Sequence, residues 1–200
     1  MTISVVIPTI PERADMLARA VRSVARQTLP ADEICIAVAG PGEGAPSTRT
    51  RALHMATSDW IAPLDDDDEF EPHHLAACAR HAEETGADLV FPYFTVVGGT
   101  DPFPHHFGKE WDPDGPHQTT VVTFARREAV LAVGGFEAPL SGTEAPDGNR
   151  HGEDYEMILR LNAAGYRIEH LAERTWLWHH HYSNTSGLPE RRPSVVHSGA

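Results

Sequence analysis

Positive charge is scarce in this chain: 16 lysines and arginines stand against 29 aspartates and glutamates, a formal net charge of −13. A surface of that sign repels phosphate backbones and anionic bilayers, which excludes broad electrostatic binding to nucleic acid or to a membrane surface. A small anionic ligand is not excluded, because a bound divalent cation inverts the local field. Cysteine is scarcer still. Cys35 and Cys78 fall on an expected strand and an expected helix, show no metal-ligand spacing, and read as buried free thiols suited to a reducing cytoplasm. No apolar run approaches the roughly 20 residues of a membrane span. The start Met1-Thr2-Ile3-Ser4 lacks the basic stretch of a secretory leader. The expectation is a cytoplasmic domain without an integral membrane segment or a nucleic-acid partner.

The 200 residues, 40% of them apolar, suffice for one domain with a real core. Ile3-Ser4-Val5-Val6-Ile7 is a nearly continuous β-branched run, as expected of a strand buried on both faces. A helix fits residues 12–27, with Leu17, Ala20, Val21 and Val24 on one face, and a second strand follows over residues 33–38. This order reads as a βαβ unit with a parallel pair. Further along, Ser47 or Thr48 caps a helix to about Ala56, and residues 59–64 form a third strand. Pro72 opens a helix closed by Gly86, and residues 88–94 form another strand. Residues 98–117 and 141–151 read as functional or mobile loops. Strands are expected over 119–124, 166–170 and 175–178, and helices over 126–133 and 154–164. Residues 1–186 are expected to form one domain, followed by a loosely ordered tail over 187–200.

Leu64-Asp65-Asp66-Asp67-Asp68-Glu69 follows directly on the third strand. Adjacent carboxylates repel unless a cation or solvent screens them. Side chains at i and i+2 of an extended backbone share a face, so Asp65 and Asp67 can converge on one hard cation, Mg²⁺ or Mn²⁺. A solvated acidic turn is the plainer alternative. The pair Glu153-Asp154 opens a helix, where acids also sit for dipole reasons alone; read functionally, one of them is a general base. In Trp178-His179-His180-His181, residues 179 and 181 share a face if the backbone is extended, and one of them can complete the aspartates' coordination. Pro8 to Arg13 leave the first strand at its carboxyl end, where open α/β sheets bind ligands.

These segments together resemble the family 2 glycosyltransferases of GT-A fold. The resemblance runs through Ser4-Val5-Val6-Ile7-Pro8-Thr9, Ser47-Thr48-Arg49-Thr50-Arg51-Ala52, Trp60 to Asp68, Val133-Gly134-Gly135-Phe136-Glu137 and Gly152-Glu153-Asp154-Tyr155-Glu156. It implies a Rossmann-like, three-layer α/β/α sandwich with a mixed, mainly parallel sheet. It also implies a metal-dependent, inverting transfer of sugar from a nucleotide-diphosphate sugar to an acceptor hydroxyl. Asp65 and Asp67 correspond to the DxD pair holding Mn²⁺ or Mg²⁺, with His181, or in second place His179, as the trailing ligand. Pro8, Thr9, Arg13, Arg49, Asp65 and Asp66 fall on the nucleotide-sugar side. Asp154 corresponds to the base, with Glu153 beside it binding acceptor.

Two positions depart from the family pattern. Val38-Ala39-Gly40-Pro41 stands where relatives carry an Asp that reads the base, which argues against a uridine donor, and the Arg-Asn pair is here Arg49-Thr50. A sugar nucleotidyltransferase is the alternative within the same fold neighbourhood. It calls for a Gly-rich basic loop after the first strand, and Pro8-Thr9-Ile10-Pro11-Glu12-Arg13 contains no glycine and one arginine. A catalytically inactive nucleotide- or carbohydrate-binding module of the same fold is the third reading.

Overall fold

The computed structural model describes residues 1–117, 119–136 and 152–181. Their strands form one seven-stranded sheet in the order β2-β1-β3-β6-β5-β7-β4. The strands are β1 (Ile3–Thr9), β2 (Glu33–Val38), β3 (Trp60–Pro63), β4 (Glu69–Phe70), β5 (Leu89–Val97), β6 (Phe124–Arg126) and β7 (Ile168–His179). The helices are α1 (Ala14–Ala25), α2 (Ala45–Met55), α3 (His74–Thr85), α4 (Arg127–Ala132) and α5 (Glu153–Ala163).

The alternation of a pleated strand divides the core into two layers. Val5 and Ile7 of β1, with Trp60 and Ala62 of β3, face Ala20 and Val24 of α1 and Leu75, Cys78 and Ala82 of α3. Val6 and Ile61 face the opposite way, against Ala52 and Leu53 of α2, Val130 of α4, and Met157, Ile158 and Leu161 of α5. This is the expected three-layer α/β/α sandwich. β1, paired along both edges and covered on both faces, explains the unbroken apolar run: all seven of its residues are buried. The pairs β1–β2, β1–β3 and β5–β7 are parallel, whereas β3–β6, β5–β6 and β4–β7 are antiparallel. The sheet is mixed, and its long ladders are the parallel ones, the three antiparallel ladders pairing only two residues each.

Several boundaries differ from expectation. Pro11–Arg13 form a single 3₁₀ turn before α1 begins. Helix α2 starts at Ala45, with Gly44 as N-cap and Pro46 in its first turn, so neither Ser47 nor Thr48 is the cap. Residues 119–123 are irregular, and β6 begins only at Phe124. The two short strands expected after residue 165 are one twelve-residue strand, β7. Its register against β5 slips beside Pro92, which has no N–H to give to the ladder, and the polar residues between Leu171 and Thr175 are absorbed there. The two-residue β4 has no signal of its own; it exists because β7 offers an edge.

The segment 98–117 is tied down. The Tyr93 hydroxyl donates to the Phe103 carbonyl (2.5 Å) and the Phe103 N–H donates to Asp101 Oδ1 (2.8 Å). The indole of Trp111 donates to Asn162 Oδ1 of α5 (2.9 Å). The expected loop 141–151, the tail 187–200 and Glu137 lie outside the described residues. Leu75, fully buried between α3 and the sheet, tests the packing: Leu75→Ala is expected to cost about 2–5 kcal/mol in urea denaturation, with little change in slope.

Candidate active site

Three adjoining parallel strands, β2, β1 and β3, run out at one end of the sheet, and a cavity of about 520 Å³ opens beyond them. Pro8, Thr9 and Arg13 come from the end of β1, Arg49 from α2, Asp65 to Asp68 from the end of β3, and Glu153 and Asp154 from the start of α5. Every one of these lines the same cavity.

The acid run is not extended. Asp65 to Asp68 form a turn closed by a hydrogen bond from the Asp68 N–H to the Asp65 carbonyl (3.2 Å). The turn sorts the four carboxylates. Asp65, Asp67 and Asp68 bring one oxygen each within 4.8 Å of one another. Asp66 turns aside: it accepts from the Thr9 hydroxyl (2.6 Å) and from Arg13 Nη1 (2.9 Å). Asp68 is therefore a member of the convergent set that the i, i+2 argument missed; the turn, not strand pleat, decides which acids meet. Arg19, also missed, donates to the Asp67 carbonyl from one turn further along α1.

Arg49 lies buried and reaches both halves of the cavity. Its Nη2 donates to Asp65 Oδ1 (2.6 Å) and its Nη1 to Glu153 Oε1 (2.5 Å). Burial works against its charge, but Asp65 and Glu153 more than restore it, and its pKa is raised. The glycines before Phe136 support this arrangement. Gly135 has φ +68° and passes close to Thr50 and Leu53, which sets the Phe136 N–H on Thr50 Oγ1 (3.1 Å) and the Phe136 ring 5.5 Å from the Arg49 guanidinium. Thr50, standing where the family pattern has Asn, thus serves as an acceptor for this turn.

The histidines separate. His181 Nε2 meets Asp67 Oδ2 at 3.0 Å, whereas His179 Nε2 meets Glu69 Oε1 at 2.9 Å. The backbone N–H of His179 donates to Asp68 Oδ1 (2.9 Å), which ties the acid turn to β7. Desolvation by burial raises the pKa of Asp67, with Asp65 adding to the effect, and holds Asp68 well above the ordinary carboxylate value. Asp154 is pushed up to about 6, first by burial, with Arg49 partly opposing. Its carboxylate folds back over Gly152, where a β-carbon would lie 2.6 Å from Asp154 Oδ1.

The donor set fits a hard divalent cation. It is all oxygen, it converges, and the protein supplies it with too few guanidinium partners for the number of carboxylates. The arrangement can bind a diphosphate through that cation on one side and take a proton at Asp154 on the other.

Residues 38–127 match the family model described as glycosyl transferase family 2. The fold is shared with crystal structures of S. aureus TarS 1-349. In the complex with UDP the TM-score is 0.70 at 15% identity, covering 90% of this chain and 61% of that one. In the complex with UDP-GlcNAc it is 0.72 at 14% identity, covering 90% and 59%. The present chain therefore spans about three fifths of the TarS fragment. Among curated proteins none matches its sequence. The fold is that of a GT-A glycosyltransferase. The matched segment is the one that carries α2 and the acid turn.

Removing the guanidinium should leave Asp65 and Glu153 facing each other without a cation. Arg49→Ala is expected to lose about 1–3 kcal/mol of stability by chemical denaturation, with Arg49→Lys restoring only part because a single ammonium cannot fork to both acids.

Proposed function

We propose that this domain is a metal-dependent, inverting glycosyltransferase that moves a sugar from a nucleotide-diphosphate sugar to an acceptor hydroxyl. The observation that carries the reading is that the convergent Asp65, Asp67 and Asp68 and the raised-pKa Asp154 line one cavity, with Arg49 spanning them. The match to the family 2 model and the TarS complexes with UDP and UDP-GlcNAc support a nucleotide-sugar donor. Cys35 and Cys78 are buried and unpaired, which supports a reducing cytoplasmic setting.

Asp65, Asp67 and Asp68 would hold Mn²⁺ or Mg²⁺, with His181 completing the set through its contact with Asp67. When bound, the cation offsets the charge that collects on the departing diphosphate, without requiring a proton donor. Pro8, Thr9 and Arg13 hold the nucleoside side, and Asp66 fixes Thr9 and Arg13 in place. Asp154 accepts the proton of the attacking hydroxyl as the new bond forms at the anomeric carbon and the bond to phosphate breaks. Attack comes from the face opposite the leaving group, so one base suffices and the configuration inverts, by analogy with inverting glycosidases. Glu153 stays with Arg49 and borders the acceptor side. His179, held by Glu69, supports the turn through its backbone.

A carboxyl with a pKa near 6 is a serviceable base at neutral pH. Asp154→Asn should lower transfer by about 10²- to 10⁴-fold while nucleotide binding in the presence of Mn²⁺ persists. Asp67→Asn should instead remove metal-dependent nucleotide binding, read by calorimetry, with the circular dichroism spectrum unchanged. Equal turnover in both variants would exclude the mechanism, and nucleotide-independent sugar binding would favour a binding-only module. Because the base acts unprotonated, kcat/KM should rise about tenfold per pH unit below about 6 and level off above it, and Asp154→Asn should flatten that limb.

A further inference from the structure

The strap between β5 and β6, residues 98–117, contributes Phe103 to the wall of the cavity. Its fastenings are of different kinds. Toward its start the Tyr93 hydroxyl donates to the Phe103 carbonyl, and Asp101 meets Arg174 of β7 at 3.6 Å. Toward its end the Trp111 indole donates to Asn162 Oδ1, and Asn162 Nδ2 donates to the Pro113 carbonyl (2.9 Å). Between these the Gly108 N–H donates to Nε2 of His170, on β7 (3.0 Å). Gly108 has φ +75°, a left-handed conformation that glycine takes without strain.

His170 can make that contact in one state only. Its Nδ1 lies 2.9 Å from the Phe91 carbonyl, which has no proton to give, so Nδ1 carries the hydrogen. Nε2 faces an N–H and must therefore hold a lone pair. The two contacts together require the neutral ring protonated at Nδ1. A proton added at Nε2 would point one N–H at another. The surroundings oppose that proton as well: burial lowers the pKa of His170, the Phe91 carbonyl works against the shift, and His81 and His106 add to it. The titratable groups around the ring are His81 from α3, His106 and His117 from the strap, and Tyr93 from β5, whose ring stands edge-on at 6.2 Å.

We propose that His170 is a proton-operated latch on the strap: neutral, it holds Gly108 and keeps the cavity wall in place, and protonated it releases that segment. Of the fastenings above, this is the one whose partner changes charge near neutral pH. A solvated histidine titrates near 6.5 and the latched one lower. The latch therefore has its full strength above about 6.5 and loses it as pH falls, by up to about tenfold per unit. Mild acid loosens one wall of the site, whatever reaction the cavity carries out.

Asp154 titrates in the same range, so the experiment reads the strap rather than turnover. Nitrogen-15 NMR of the His170 ring at about pH 7.5 should find the proton on Nδ1. Titrating the ring should move the amide resonances of Gly108 and Phe103 with one midpoint below about 6.5. Protection of the Gly108 amide against hydrogen exchange, corrected for the intrinsic rate, should fall up to about fivefold between about pH 6.5 and about 5.5, while Val6 in β1 stays level. In His170→Gln and His170→Phe, neither of which titrates, Gly108 protection should no longer depend on pH, and it should be lower in the Phe variant, which offers no acceptor. A proton found on Nε2 at about pH 7.5, a His170 titration that leaves either amide unmoved, or a pH-dependent loss of protection that persists in both variants overturns the latch. The measurements on the unaltered protein decide the matter even where a variant fails to fold.

Discussion

A guanidinium caught between two carboxylates from distant parts of the chain governs this molecule's chemistry. Arg49 is on α2, Asp65 follows β3, and Glu153 opens α5, so one side chain fixes the relative position of the acid turn and the helix that carries Asp154. Each end of the guanidinium takes one carboxylate, and the guanidinium itself is out of water, the setting in which a forked cation holds geometry better than a point charge. It is also insufficient. Asp65 to Asp68, Glu153 and Asp154 all border the same cavity, and Arg13 and Arg49 are the arginines that border it with them. Burial first, and the neighbouring carboxylates after it, leave Asp67 and Asp68 reluctant to ionise.

Much of the fold was legible because its signals are local. β1 and β2 announce themselves by β-branched runs, and α3 by its flanking Pro72 and Gly86, the latter in the left-handed conformation at φ +70° that ends the helix. The elements that were missed or misjudged depend on partners. β4 is two residues long and is defined by Trp176 and Leu177 across from it; β7 reads as two strands because the break opposite Pro92 belongs to β5. No sequence window contains both sides of such a ladder.

The site divides along the same line. Asp65, Asp67 and Asp154 could be picked out from position relative to strands and helix starts, and they do share one cavity. Asp68 could not, because its convergence follows from a turn whose closure is visible only in three dimensions. His179 and His181 looked equivalent by spacing, yet the strand ends between them: His179 is still in register with Val97 of β5 and meets Glu69, while His181 lies beyond the ladder and meets Asp67.

Gly152 has a further consequence. Its backbone, at φ −69° and ψ 157°, suits any residue, so a replacement there would leave the chain able to fold. The atom in the way of a β-carbon is the end of the Asp154 side chain, which can rotate aside. Every amino acid within one nucleotide of a glycine codon carries that carbon. Drift at this codon would therefore displace the carboxylate at 154 while leaving the backbone as it is.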